Sequence, residues 1–140
     1  MIRKQDVLDR AAEWRLRPDV VEKDYVLGWL LAAISQNAEA SRDWVFKGGT
    51  CLKKCFFETF RFSEDLDFTL LPGARYSPRE LGKTLEGIVE VAADLSGISF
   101  PSSRAEIRDT RDKLGCPTFR ASVAYRGRWA RLTNLASCLT

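Results

Sequence analysis

Two short stretches hold residue types at spacings that can do chemistry. Gly48-Gly49 follows the apolar run Trp44-Val45-Phe46, and Asp65-Leu66-Asp67 opens a run that alternates through Phe68 and Thr69 to Leu70. A diglycine lets the backbone approach a phosphate with no Cβ in the way, and a helix starting there aims free N–H groups and its positive dipole end at the same point. Two carboxylates two residues apart on a strand project side by side, about 7 Å apart at the backbone, close enough to hold an oxygen-liganded Mg²⁺ between them. Without a cation or a basic group they repel each other. In the order strand, diglycine, short helix, acidic strand, these parts build a site for a metal-bound nucleoside triphosphate.

The chain has no histidine. That removes Ser-His-Asp and Cys-His nucleophile systems, HExxH zinc sites, His/Cys zinc fingers and His-ligated haem, and leaves carboxylates, Lys, Arg, hydroxyls, thiols or an oxygen-held metal to carry any catalysis. The cysteines Cys51, Cys55, Cys116 and Cys138 show no disulfide framework and lack the close pairs of a zinc site. Cys51 and Cys55 are read as two small buried hydrophobes one helical turn apart. With no apolar stretch long enough to span a membrane and a charged opening (Met1-Ile2-Arg3-Lys4), the expectation is a cytoplasmic, reduced protein.

The elements that must position the site can be read from the same pattern. At 140 residues and 45% hydrophobic, the chain has the size and the apolar content of a single domain spanning 1–140. Ile2 to about Leu16 is an amphipathic helix, broken at Arg17-Pro18, and Asp19 to about Gln36 is a second one whose Val20, Leu27, Leu31 and Ile34 repeat at helical spacing. Its Glu22-Lys23-Asp24-Tyr25 reads as solvated helix charge. After a polar loop, Asp43 to Lys47 is expected as a short buried strand and Thr50 to about Phe57 as a helix. Asp65 to Leu70 is expected as a strand with both acids on one face. Ser77-Pro78-Arg79-Glu80 is a capping box opening a helix that runs to Gly97. Phe119, Ala121, Val123 and Tyr125 then alternate with Arg120, Ser122, Ala124 and Arg126 in a strand, and Arg126-Gly127-Arg128 turns into a last strand. Residues 101–140 carry 8 basic and 3 acidic side chains, so Arg104, Arg108, Arg111, Arg120, Arg126, Arg128 and Arg131 are candidates for one phosphate-facing surface.

Phe46-Lys47-Gly48-Gly49-Thr50-Cys51-Leu52, followed by Arg61-Phe62-Ser63-Glu64-Asp65-Leu66-Asp67-Phe68, resembles the signature of the AbiEii/AbiGii toxin nucleotidyltransferases, within the polymerase-beta-like nucleotidyltransferase superfamily. Glu22-Lys23-Asp24-Tyr25 resembles that family's upstream helix motif. The resemblance implies an α+β fold, a small mixed sheet flanked by helices with two helices at the N-terminus. It implies Mg²⁺ (or Mn²⁺) on the catalytic carboxylates Asp65 and Asp67, and nucleotide contacts from Lys47, Gly48, Gly49, Thr50, Arg61 and Ser63. It also implies transfer from a nucleoside triphosphate to an acceptor such as a tRNA 3′ end or other RNA, in a toxin of an abortive-infection toxin–antitoxin pair with a cognate antitoxin. Family members usually add a third carboxylate from a later strand, where this chain has Cys138, with Asp109 and Asp112 the nearest acids. The family's C-terminal helical region is expected to be missing here.

Two other readings fit the same residues. A truncated nucleotidyltransferase fold can bind nucleotide, RNA or a partner protein without catalysis. Asp65-Leu66-Asp67-Phe68-Thr69 also fits the Asp-x-Asp-x-Thr motif of haloacid-dehalogenase-type phosphatases, which would make Asp65 the phosphoryl acceptor and Asp67 the general acid.

Overall fold

The computed structural model describes residues 2–56, 64–111 and 115–129, and the backbone of 133–139. Phe57, Arg61, Ser63, Asp112 and Arg131, which carry expectations above, lie outside the described residues.

The two N-terminal helices are α1 (Lys4–Trp14) and α2 (Pro18–Gln36). Pro18 takes the first helical position, where its missing N–H has no intrahelical partner to lose. A third helix, α3 (Ala38–Asp43), occupies the segment expected as a polar loop. Six residues leave no room for an apolar repeat, and the helix is set instead by Asn37, whose Oδ1 accepts the N–H groups of Glu39 and Ala40 at 3.1 and 2.9 Å.

Strand β1 (Trp44–Lys47) leads directly into α4 (Gly48–Cys51), which continues as a wider π-type turn over Leu52–Phe56. The helix therefore begins at Gly48 rather than Thr50, and the diglycine forms its first turn. Strand β2 (Leu66–Leu70) starts one residue later than expected, leaving Asp65 just before it. Helix α5 (Pro78–Ser96) has the expected capping box, with Ser77 Oγ accepting from the Glu80 N–H at 3.2 Å, and it ends at Gly97 with φ 68°. Strands β3 (Glu106–Arg111), β4 (Pro117–Tyr125) and β5 (Thr133–Leu139) complete the described elements.

The five strands form one mixed sheet in the order β1-β2-β5-β4-β3, with β2 and β5 parallel and the other pairs antiparallel. This is the expected α+β architecture. β1 is an edge strand, and Val45 is 46% exposed, so the expected burial of this strand holds only for Trp44. One face of the sheet, with Leu66, Phe68, Ala121, Val123 and Tyr125, packs against Leu27 and Leu30 of α2 and Leu81, Leu85 and Ile88 of α5. Burying each such side chain contributes about 1.5–3 kcal/mol, so this layer is what fixes the strand register. A smaller cluster of Val7, Ala11 and Val21 joins α1 to α2.

The cysteine pair departs from expectation. Cys51 is half-buried but Cys55 is exposed, and both are free thiols. Burial, and secondarily Cys55, pushes the Cys51 thiol above the ordinary range.

Candidate nucleotide and metal site

The opposite face of the sheet carries Asp67, one of the two candidate acids. Alternation puts Asp67 on that side of β2 while Leu66 and Phe68 enter the core. The antiparallel register of β1 and β2 sets Lys47 directly across from Asp67, so the strand that ends at the diglycine ends beside the second acid. Gly48 has φ +80°, and a Cβ built on it would overlap the Asp67 carboxylate. Glycine is needed here twice over, for the backbone conformation and for the close approach.

Thr50 is fully buried, and its Oγ1 donates to the Asp65 carbonyl at 2.6 Å. Its hydroxyl therefore ties α4 to the start of β2 and is committed to the backbone. What this segment can offer a phosphate is main-chain N–H in the first turn of α4. Asp65 is exposed and Asp67 half-buried. Burial, and then the neighbouring Asp65 charge, raises the Asp67 carboxyl above the usual carboxylate range, against the opposing pull of Lys47 and Arg120.

Three charged residues of α2 hold these parts in place, where the sequence pointed to solvated helix charge. Glu22 is buried and accepts the backbone N–H groups of Arg128 and Trp129 at 2.7 and 3.3 Å. Lys23 is buried and pairs with Glu64, the residue before Asp65, at 2.9 Å. Asp24 pairs with Lys53 at 2.8 Å and Lys54 at 3.3 Å, on the helical turn behind the diglycine. One helix turn thus grips the β4–β5 connection, the approach to the acids and the helix behind Gly48. The sequence signal was the run itself: three consecutive charges on a helix cannot all share its solvent face.

The sheet register also locates the position expected for a third acid. β5 runs parallel to β2 and pairs Cys138 with Asp67. Asp109 sits three strands from β2, in the row of Phe119 and Phe68 rather than that of Asp67, and about 14 Å away across the sheet. It does not join the site. Among the described residues no cluster of three or more Asp, Glu, Cys or His forms a metal cage. Among the described residues the C-terminal arginines divide, Arg108 and Arg111 falling on opposite faces of β3. Arg120 and Arg108 fall in the Asp67 row, Arg111 donates to the Gly115 carbonyl at 2.8 Å, and Arg104 lies 3.9 Å from Glu86.

A mixed-sheet α+β domain in which a strand, a diglycine helix and an Asp-x-Asp strand meet is a nucleotidyltransferase-like domain. Residues 29–135 match the family model described as nucleotidyl transferase AbiEii toxin, type IV TA system, and the chain belongs to that family. It is thus one of a family of toxin–antitoxin nucleotidyltransferases, which implies an antitoxin counterpart. No curated protein matches it. Among the described residues no helix is long and apolar enough to cross a membrane.

Proposed function

We propose that this chain binds a nucleoside triphosphate with Mg²⁺ (or Mn²⁺) at Asp65 and Asp67 and transfers its nucleotide to an acceptor hydroxyl on RNA, such as a tRNA 3′ end, in the cytoplasm. The observation that supports the reading is the close approach of Gly48 to the Asp67 carboxylate, which joins the diglycine turn to the acidic strand.

The donor set suits a hard divalent cation. Asp67 is half-buried beside Asp65 and its carboxyl is raised by both effects, so a cation between the two relieves a cost that the site already carries. When bound, the metal supplies charge neutralisation at the triphosphate and lowers the pKa of an attacking hydroxyl. The chain's own residues orient the substrate. The first turn of α4 presents N–H groups to phosphate, Lys47 adds positive charge beside Asp67, Thr50 holds Asp65 in register, and Arg61 and Ser63 complete the proposed nucleotide contacts.

A second reading, binding without transfer, is favoured by one observation: the β5 position paired with Asp67 is Cys138. A thiol is a poor ligand for Mg²⁺, and a second metal or a base at that position normally activates the acceptor. The phosphatase reading is dropped, because β2 begins only after Asp65 and the family is one of nucleotidyltransferases. Incubating the chain with radiolabelled NTP, Mg²⁺ and total tRNA separates the remaining two. Label in RNA, lost in Asp65→Asn, supports transfer; Mg²⁺-dependent NTP binding with no label supports the second reading; neither binding nor label contradicts both.

A further inference from the structure

The pairings of all five strands align into one transverse row: Lys47, Asp67, the Cys138 position, Arg120 and Arg108. Residues directly opposite in a sheet share a face, so the two arginines lie on the side that carries Asp67 and not on the side packed by α2 and α5. At one strand spacing per step, Arg120 is about 10 Å from Asp67 and Arg108 about 14 Å, both beyond the Cys138 position and away from the diglycine.

The two guanidinium groups are available in different degrees. Arg120 is exposed and makes no hydrogen bond or ion pair among the described residues. Among the described residues Arg108 is held only by Glu106 at 2.9 Å, with both side chains largely exposed. Such a pair is worth under about 1 kcal/mol, so a phosphate can replace it. Ser122, half-buried on the same face of β4, adds a hydroxyl next to this track.

We propose that this row is the docking track for a single-stranded nucleic acid, its phosphodiesters engaged by Arg120 and then Arg108 and its end delivered at Asp67. The direction toward Asp67 rests on the nucleotidyl-transfer reading, whereas the strand contact itself does not. One feature selects a phosphodiester strand over an acidic protein surface. An acidic patch would bring its carboxylates down on Asp65 and Asp67 as well as on the arginines, while a strand places its charges along one line and meets the acids only at its end.

Fluorescence anisotropy of a fluorescein-labelled 12-nucleotide mixed-sequence RNA, titrated at several salt concentrations without metal or NTP, tests the track. Arg120→Ala is expected to weaken binding about 5–10-fold at low salt and to lower the slope of log K against log salt by about 0.7, one phosphate contact on a single strand. Arg120→Lys should keep most of the slope and lose part of the affinity. Arg75→Ala, an exposed arginine in the groove with Asp43 at the other end of β1, removes the same charge and should bind as the wild type. Absence of RNA binding by the wild type, wild-type binding by Arg120→Ala, or an equal loss in Arg75→Ala would overturn the proposal. Mg²⁺·NTP titration of the same preparations is the separate arm: if the wild type fails there while the arginine effects persist, the nucleotidyl-transfer reading falls and the strand track stands.

Discussion

Gly48 has neither the room nor the backbone angle for a side chain: Asp67 fills the space a Cβ would need, and φ is +80°. Gly48→Ala should destabilise the protein by about 1–3 kcal/mol, from strain at positive φ and displacement of the Asp67 carboxylate. Urea unfolding reads that loss, and an unchanged midpoint would show that the two residues do not meet. Asp67 shows the opposite sign. Its folded-state carboxyl is raised, so folding favours the protonated form; stability from this group is fully present below the ordinary Asp range and is lost as pH rises through the raised value. Asp67→Asn should therefore stabilise the metal-free protein at pH 7 by several tenths of a kcal/mol, with the gain shrinking as the pH falls through the raised value toward the ordinary Asp range. Thermal melts at pH 7 and pH 4 check the sign, and a destabilised Asp67→Asn at pH 7 would contradict it.

At the scale of elements, α2 acts as a clamp on three segments that are distant in sequence, through Glu22, Lys23 and Asp24. Burial already pulls the Lys53 ammonium below the ordinary lysine range despite the opposing effect of Asp24. Removing Asp24 leaves that cation half-buried without its main counter-charge, so Asp24→Ala should cost about 2–3 kcal/mol and also weaken Mg²⁺·NTP binding, since α4 would lose its anchor. Chemical denaturation and calorimetric titration of the same variant measure the two effects, and full stability with wild-type binding would remove the clamp from the account. The run Glu22-Lys23-Asp24 signals that not all three charges face solvent, but helical periodicity reports which face is apolar and says nothing about long-range partners, so the three segments gripped were not legible in the sequence. The short helix α3 was missed for a related reason, its determinant being one capping side chain, Asn37. By contrast, α5 was legible to its ends, since Ser77-Pro78-Arg79-Glu80 and Gly97 act locally. A shared site for the diglycine and the acids needs β1 and β2 side by side, and their antiparallel pairing sets Lys47 opposite Asp67.

For the whole molecule, one layer of helices fixes a sheet whose other face gathers the acids at one end of a row and arginines at the other. At the site Asp67 is half-buried beside a like charge and Gly48 is held at positive φ, so the site is maintained by the core and the α2 clamp, not by its own contacts. Proteins commonly carry such local costs where a ligand is to bind. The most direct test of this account is calorimetric titration of ATP, GTP, CTP and UTP into the wild type and Asp67→Asn, each with Mg²⁺ and with EDTA. The account predicts that the wild type binds at least one triphosphate only with Mg²⁺, and that Asp67→Asn, though folded and more stable at pH 7, loses that binding by tenfold or more. Triphosphate binding that is indifferent to Mg²⁺, or that survives unchanged in Asp67→Asn, would contradict it.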